Sequence, residues 1–390
     1  MNPATIEELS WLLRPAGGGV YLVSTGRGEQ QILQRRFYGA ETEADVTKGF
    51  LRALERIADA RVIILGIPSD VGAGFRRGAN LGPQALRLQL LEEDPNWNAA
   101  CEARGILDIG DVFVVPQILE DGMLSATQIE RCRATLYPDV PAGRRAELPV
   151  SPLSIAERAL TLILGELPQV KPLILGGDHS CAWPAVKALH ATGRRFCIAQ
   201  PDAHTDLMAE RLGIAMCFAT WTFHANELIG RNGRVIQIGI RASGRPKAYW
   251  ENTLDVRQFW ADEILADPER ALSNIVQTIK ATQLPVYVSN DIDGTDDSVA
   301  DACGTPEPDG LRSEWLVMLI RRLGRQVGLV GADLMEVAPL LGANGGRTTL
   351  AVGTQYLRAS LDALLDGGEF SSSTVSEAAD GTGKESESMA

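Results

Sequence analysis

Short apolar runs alternate with longer amphipathic stretches along most of the chain. The runs end in glycine, proline or acidic residues, as buried strands do, and the stretches between them carry apolar residues at helical spacing. Helices are predicted at 6–13, 47–57, 82–91, 154–167 and 313–323. Strands are predicted at RVIILGIP (61–68), KPLILGG (171–177), RFCIAQPDAH (195–204), RVIQIGI (234–240), LPVYVSNDID (284–293) and QVGLVGADL (326–334). This alternation predicts an α/β fold in which helices cover both faces of a parallel sheet.

The two ends of the chain depart from this pattern. Residues 1–58 hold two predicted helices separated by a polar, glycine-containing stretch at 24–43, and we expect an N-terminal extension there. Residues 59–366 carry the alternating pattern and are predicted to form the main domain. The tail 367–390 is rich in serine, glycine and glutamate. It has too little apolar surface to fold, so we expect it to be disordered.

Charge and hydropathy narrow the classes of function. The chain has 37 Lys and Arg residues against 50 Asp and Glu residues, for a net charge of −13. An acidic chain is a poor candidate for nucleic-acid binding, which needs a basic surface. No apolar run reaches the roughly 18 residues of a membrane span, and the N-terminus does not resemble a secretory signal. We therefore expect a cytoplasmic protein that binds neither nucleic acid nor membrane.

Acidic and histidine side chains directly follow three of the predicted strands, in GGDHS (176–180), DAHTD (202–206) and SNDID (289–293). Parallel strands bring such ends to one edge of the sheet, and residues two apart in a strand point the same way. Carboxylates packed there without cations would be forced to protonate, whereas two divalent ions remove that cost. Oxygen-rich ligation favours Mn²⁺, with Ni²⁺ or Co²⁺ as alternatives. The predicted metal ligands are His179, Asp202, His204, Asp206, Asp291 and Asp293.

These three motifs, in this order, resemble those of the ureohydrolase superfamily, which includes arginases, agmatinases, guanidinobutyrases, guanidine hydrolases and formimidoylglutamases. Further segments resemble the family at 66–87, at DIGDV (108–112), at GTPEPDGL (304–311) and at GADLMEVAP (331–339). The resemblance covers about residues 66–359. It implies a three-layer α/β/α fold with a central parallel sheet, a binuclear Mn²⁺ centre, and assembly into a homo-oligomer, either a trimer or a hexamer.

The resemblance also implies how the ligands divide between two ions. It gives bridging positions to Asp202 and Asp291. The remaining ligands would pair as His179 with Asp206 at one ion and His204 with Asp293 at the other.

The implied reaction is attack of a metal-activated water on a guanidinium carbon, which releases urea and an amine or ammonia. Asp206 would orient that water and pass on its proton. Glu336, in the last motif, would pair with the guanidinium nitrogens as a catalytic and substrate-binding carboxylate. Thr305, in the GTP segment, would line the same pocket.

The loop after DAHTD departs from the family. Many members carry a proton-shuttling histidine there, whereas DLMAERLGIAMCFATW (206–221) places Cys217 near that point and His224 lies seven residues later. We predict either that His224 is the catalytic substitute or that bulk water serves, with a structural role for His224 as the alternative. Cys217 and Trp221 are predicted to line the substrate pocket.

The apolar character of this loop guides the substrate prediction. A dry pocket cannot satisfy the α-amino and α-carboxylate groups of arginine, so we expect a small cationic guanidino substrate or guanidine itself. Agmatine, with Glu210 on its amine, and guanidinobutyrate, with Arg211 on its carboxylate, are the alternatives. The long extension also resembles that of guanidine hydrolases, and its aromatic residues could cap a neighbouring pocket: Trp11, Tyr21, Phe37 and Tyr38.

The missing shuttle histidine also motivates a hypothesis of a different class. In that hypothesis the chain is a catalytically weak, metal-binding partner subunit. The intact set of predicted metal ligands, together with Glu336, argues for the hydrolase.

Overall fold

The strands form one central sheet in the computed structural model, which describes residues 1–20, 22 and 24–367. Within these residues the strand order is β1-β3-β2-β4-β9-β8-β5-β6-β7. Every neighbouring pair is parallel except β1 and β3, which are antiparallel. The strands are β1 (Leu13–Arg14), β2 (Val62–Ile67), β3 (Ile106–Val112), β4 (Lys171–Gly176), β5 (Cys197–Pro201), β6 (Val235–Ile240), β7 (Arg257–Trp260), β8 (Val286–Asp291) and β9 (Leu329–Met335).

Helices connect the strands and cover both faces of the sheet. No helix of the described residues is long and apolar enough to cross a membrane. The helices are α1 (Pro3–Leu12), α2 (Arg27–Tyr38), α3 (Glu43–Glu55), α4 (Gly82–Glu93), α5 (Trp97–Ala103), α6 (Ala126–Leu136), α7 (Ala142–Arg145), α8 (Pro152–Glu166), α9 (Trp183–Ala191), α10 (Trp221–Leu228), α11 (Lys247–Leu254), α12 (Ala261–Ala266), α13 (Pro268–Ala281), α14 (Ser313–Gln326) and α15 (Arg347–Leu365).

Two apolar cores result, one on each face of the sheet. Alternate residues of a strand point to opposite faces, so Ile63 and Leu65 of β2 lie in one core and Val62 and Ile64 in the other. Helices α1, α3, α8, α9 and α10 contribute to the first core, and α4, α13, α14 and α15 to the second. The predicted three-layer α/β/α fold is therefore confirmed, with the short antiparallel β1 added at one edge.

The first 58 residues pack onto this body through α1, β1 and α3. Leu9, Leu12 and Phe50 are buried in the first core, and Leu13 of β1 pairs with Val112. The polar stretch at 24–43, predicted without a helix, contains α2. Its residues are mostly polar, with Leu33 its one fully buried side chain, so no apolar periodicity announced it. The predicted disordered tail lies outside the described residues, apart from residue 367.

A buried ion-pair network explains why strand β3 carries acidic residues and escaped the prediction. Arg87 of α4 donates to Asp108 through Nε at 2.8 Å and to the carbonyl oxygen of Gly110 at 3.1 Å. Its remaining nitrogen pairs with Asp111. Burying these charges is tolerable because each has a hydrogen-bonded partner of opposite sign.

The carboxyl ends of β4, β9, β8 and β5 lie side by side in the sheet and carry the acidic motifs. The two glycines at the end of β4, Gly176 and Gly177, allow the chain to turn where neighbouring atoms leave no room for a side chain. A Cβ on Gly177 would lie 1.8 Å from the carbonyl oxygen of Ser69, and one on Gly176 would lie 1.9 Å from Sδ of Met335. Only glycine fits at either position. A short 3₁₀ turn, His179–Ala182, follows and directs His179 over the edge of the sheet.

Candidate metal centre

Two groups of histidine and aspartate side chains meet at this edge and share Asp202. One group is His179, Asp202 and Asp206, the other is Asp202, His204 and Asp293, and the ligand atoms of each lie within 4.8 Å of one another. Oδ2 of Asp202 is 3.2 Å from Nδ1 of His179. Its Oδ1 is 3.8 Å from Nδ1 of His204. A carboxylate whose two oxygens face two imidazoles is placed to bridge two ions.

The other predicted ligands lie against the same two imidazoles. Nδ1 of His179 is 2.9 Å from Oδ2 of Asp291 and 3.5 Å from Oδ2 of Asp206. Nδ1 of His204 is 3.0 Å from Oδ2 of Asp293. The structure thus brings all six predicted ligands together, with Asp291 on the His179 side.

The imidazole of His179 is oriented as a metal ligand requires. Its Nδ1 is buried and lies within 3.5 Å of carboxylate oxygens of Asp202, Asp206 and Asp291, but it makes no well-aligned hydrogen bond among the described residues. Its Nε2 lies 3.0 Å from Oγ of Ser289, which donates to Asp333 at 2.9 Å. A proton on Nε2 donated to Ser289 leaves the Nδ1 lone pair free for coordination, with Asp333 fixing the tautomer. The residues therefore fit a bound cation.

The charges of the cluster point the same way. Burial and the neighbouring Asp202 raise the pKa of Asp206 well above its usual value, and burial and Asp293 do the same for Asp291. Burial opposes charge on His204, but the neighbouring carboxylates of Asp293, Asp202 and Asp206 together outweigh it and raise the pKa of His204 to about 11. The surrounding protein groups therefore disfavour the ionised forms of Asp206 and Asp291. Divalent cations would favour them.

Trp221 packs against His179 and Asp206 on the buried side of the cluster. Its ring stacks on the His179 imidazole with 4.6 Å between centroids and 28° between planes. Its Nε1 donates to Oδ2 of Asp206 at 3.1 Å. Asp206 has a φ of 50°, an unfavourable backbone conformation for a residue with a Cβ. Trp221 was predicted to contact substrate. The structure instead buries it completely behind His179 and Asp206, two of the predicted metal ligands.

Glu336 and Thr305 flank the cluster on the side of the GTP segment. Oε1 of Glu336 accepts from the backbone N–H of His179 at 3.0 Å. Its Oε2 faces Gly304, where a Cβ would lie 3.8 Å away. Burial, and then the charge of Asp178, raise the pKa of Glu336 well above its usual value. Thr305 donates to Oδ2 of Asp293 at 3.1 Å, so it also supports a metal ligand.

His224 and Cys217 lie apart from the six ligands. Nε2 of His224 is 2.7 Å from the carbonyl oxygen of Ala215, and its ring lies 6.1 Å from that of Trp183. Within the described part of the chain, no hydrogen bond or ion pair joins His224 to a predicted ligand. The predicted catalytic role of His224 thus has no contact to support it. Cys217 is buried and lines a cavity of about 510 Å³, to whose lining none of the six predicted ligands contributes.

Several supporting residues were missed by sequence reasoning. Ser289 stands in the SNDID motif and Asp333 lies three residues before Glu336. Their places in these motifs could have identified both as supporting residues. Asp333 also accepts from the Tyr287 hydroxyl at 2.8 Å, and burial raises its pKa to about 6. Gln200, which donates to Oδ2 of Asp202 at 2.7 Å, carried no such signal.

A family model matches the part of the chain that contains the six predicted ligands. The model of the arginase family matches residues 60–360, which is most of the sequence. The chain belongs to the arginase family. The predicted resemblance to ureohydrolases is therefore confirmed.

This arginase-family chain is similar to curated relatives that act on different guanidino compounds. It is 29% identical to the agmatinase of Bacillus subtilis (strain 168), over 76% of this chain and 90% of that one. It is 29% identical to the guanidinobutyrase of Pseudomonas aeruginosa, over 75% and 83% of the two chains. It is 30% identical to the N(1)-aminopropylagmatine ureohydrolase of Thermus thermophilus, over 72% and 84%.

Solved structures agree with the fold. Proclavaminate amidino hydrolase from Streptomyces clavuligerus is 27% identical, with a TM-score of 0.59 over 78% of this chain and 91% of that one. Arginase-family ureohydrolases hydrolyse guanidino C–N bonds at a binuclear divalent metal centre, and the His and Asp groups described above could hold metal. The chain is thus a hydrolase of linear amidines that acts on a guanidino compound.

Proposed function

We propose that this arginase-family chain hydrolyses guanidine, or a small guanidino compound, to urea and ammonia or an amine. Two divalent ions, Mn²⁺ with Ni²⁺ as the alternative, would be held by the six ligands. The observation that carries the proposal is the enclosure of the carboxylate-rich site. His204 exposes 24% of its side chain, whereas Asp206 exposes 6% and Asp293 exposes 1%. The site is therefore reached at His204, and its enclosure suits a small cation.

The side chains divide the chemistry between them. Metal ions bound here would lower the pKa of a coordinated water, so that a nucleophile is available near neutral pH. Asp206 is restrained through Oδ2 by Trp221, and its other oxygen is left to orient that water and carry its proton. Glu336 presents Oε2 toward the GTP segment, where a carboxylate can pair with guanidinium N–H groups and fix the plane of the substrate.

We take the cavity lined by Cys217 as the place of a substrate tail, and its lining argues against a cationic tail. Among the described residues that line it, Arg77 and Arg211 carry the only charges, and Met216, Cys217 and Phe218 form part of its apolar wall. No carboxylate among the described lining residues is present to receive the second positive charge of agmatine. The α-ammonium group of arginine would also lack a counter-charge there, which is unfavourable for a charge removed from water.

Guanidinobutyrate is the second candidate, and Arg211 favours it. The Arg211 guanidinium lies 5.3 Å from the centre of the Phe218 ring at the edge of this cavity. A cation there is placed to pair with the carboxylate of a short guanidino acid. Glu210, the residue considered for agmatine, does not line the cavity.

Urea release tests the proposal. The chain, loaded in turn with Mn²⁺ and Ni²⁺, would be assayed on guanidine, guanidinobutyrate, agmatine and arginine. We expect the highest kcat/KM for guanidine, with guanidinobutyrate next. A preference for agmatine or arginine would refute the substrate assignment. Bound metal without urea from any substrate would refute the hydrolase and favour the partner-subunit hypothesis.

Glu336→Gln tests the substrate-binding role of Glu336, because it keeps the size of the side chain and removes its charge. We expect kcat/KM to fall by about 100-fold or more, since a charge-paired contact to the guanidinium is lost. The metal content should not change. Loss of bound metal in this variant would show that Glu336 supports the ions instead of the substrate.

We also propose a homo-oligomer, a trimer or a hexamer. Phe75 and Leu212, near the same cavity, expose 92% and 97% of their surface. Exposed apolar side chains of this size mark contact surfaces when they lie together. Light scattering on the purified chain would test the assembly, and a monomer at micromolar concentration would contradict it.

A further inference from the structure

A row of three buried glutamines runs across the sheet away from the metal centre. Gln200, Gln237 and Gln258 stand on the neighbouring strands β5, β6 and β7. Strand pairing sets Gln200 opposite Gln237 and Gln237 opposite Gln258. Their relative exposures are 0%, 0% and 2%. Three polar side chains thus occupy adjacent interior positions, where apolar residues would ordinarily pack.

The amides form a continuous chain of hydrogen bonds with one direction. Nε2 of Gln258 donates to Oε1 of Gln237 at 2.8 Å, and Nε2 of Gln237 donates to Oε1 of Gln200 at 3.0 Å. Nε2 of Gln200 then donates to Oδ2 of Asp202 at 2.7 Å. At the far end, Nε1 of Trp260 donates to Oε1 of Gln258 at 2.9 Å.

Side contacts complete the hydrogen bonding of this ladder. Gln237 also donates to the carbonyl oxygen of Thr205 at 2.6 Å, and the hydroxyl of Thr222 donates to Oε1 of Gln200 at 3.1 Å. Burying an amide is costly unless it is hydrogen-bonded. Because every donor points toward Asp202, each amide dipole polarises the next in the same sense.

We propose that Gln200, Gln237 and Gln258 are positioning residues that fix the Asp202 carboxylate between the two metal sites. The inference rests on the proposed metal-dependent function. The bond from Gln200 fixes the rotation of the carboxylate, so that Oδ2 faces His179 and Oδ1 faces His204. Gln237 and Gln258 act through Gln200, by holding its amide in the orientation that donates.

Metal affinity of the intact chain tests the ladder. The dissociation constants for Mn²⁺ would be measured by competition with a chromophoric chelator, for the wild type, Gln200→Met, Gln237→Met and the double variant. Supporting hydrogen bonds to metal ligands are typically worth about 10- to 100-fold in affinity. We expect a loss in that range for Gln200→Met and a smaller loss for Gln237→Met. The double variant should bind Mn²⁺ no more weakly than Gln200→Met does, because Gln237 acts through Gln200.

Two further measurements separate positioning from general damage to the fold. Asn226 is a fully buried amide outside the ladder, which donates to the carbonyl oxygen of Leu254 at 2.8 Å. Asn226→Leu should lower the melting temperature and leave the metal affinity unchanged. The visible absorption of the Co²⁺-loaded chain should change in Gln200→Met and stay unchanged in Asn226→Leu, because the ladder acts on a ligand of the ion.

The outcomes are distinguishable from those of the proposed function. A wild type that binds metal and releases urea, with unchanged affinity in Gln200→Met or full additivity in the double variant, would overturn the ladder alone. A wild type that binds no metal would overturn the proposed function together with the ladder. If Gln200→Met does not fold, Trp260→Phe breaks the far end of the ladder, and we expect its dissociation constant to rise by less than that of Gln237→Met. No rise there would overturn the inference.

Discussion

Replacing Trp221 by phenylalanine removes one hydrogen bond from the metal centre and leaves the stacking in place. The indole Nε1 donates to Oδ2 of Asp206 at 3.1 Å, and the ring stacks on His179 at 4.6 Å. Phenylalanine keeps a ring against His179 and cannot donate. Asp206 would then be free to turn out of the strained conformation in which its φ is 50°.

The size of the effect follows from the character of that bond. A hydrogen bond to a charged group contributes about 1.5–3 kcal/mol, and each 1.4 kcal/mol is about tenfold in an equilibrium or rate constant. We therefore expect kcat/KM for urea release to fall by about 10- to 150-fold in Trp221→Phe. Trp221→Leu removes the stacking as well and should lose more activity.

Steady-state urea assays at saturating Mn²⁺, with metal analysis of the same samples, would measure this effect. Trp250→Phe is the matched control, because its Nε1 donates to Oγ of Ser243 at 2.9 Å, away from the metal centre. The control should keep its activity within about twofold, since surface-side changes are worth about 0.5 kcal/mol or less. Equal losses in both variants, or none in Trp221→Phe, would refute the positioning of Asp206 by Trp221.

Three further predictions concern stability. Arg87→Met leaves Asp108 and Asp111 buried without a counter-charge and should lower the free energy of unfolding by about 3–5 kcal/mol in urea titrations; a loss below about 1 kcal/mol would contradict the buried network. Neither side-chain atom of Asn290 has a partner among the described residues, so Asn290→Val should raise the free energy of unfolding by about 1–2 kcal/mol, and a lower melting temperature would count against this. Burial lowers the pKa of Lys171 to about 8. Between about pH 8 and pH 10.4 the unfolded chain then binds more protons, so stability should rise with pH there and the rise should vanish in Lys171→Met; an equal rise in both proteins would contradict it.

The sequence predicted the structure best where a single residue pattern is compatible with only one arrangement. Buried strands that end in acidic residues predicted a shared sheet edge, and the structure places the acidic residues of GGDHS, DAHTD and SNDID there. The local pattern of apolar residues did not predict elements whose conformation depends on tertiary contacts. The helix α2 has few buried residues, and strand β3 carries acids that only Arg87 makes tolerable.

The support behind the ligands was harder to predict because it depends on strand register. Gln200, Gln237 and Gln258 are far apart in the chain, and nothing local indicates that pairing sets them side by side. Trp221 was expected in the pocket because its loop is apolar, yet its indole is turned inward to Asp206 and His179. The polar side-chain atoms of Asn290 are buried without a hydrogen-bond partner in the described part of the chain, and nothing in the local sequence indicates this.

The most direct test is a crystal of the chain grown with excess Mn²⁺ and measured at the manganese absorption edge. The account predicts two anomalous peaks about 3.5–4 Å apart, one beside Nδ1 of His179 and one beside Nδ1 of His204, with Asp202 between them. A single peak, or none near these imidazoles at saturating Mn²⁺, would contradict it.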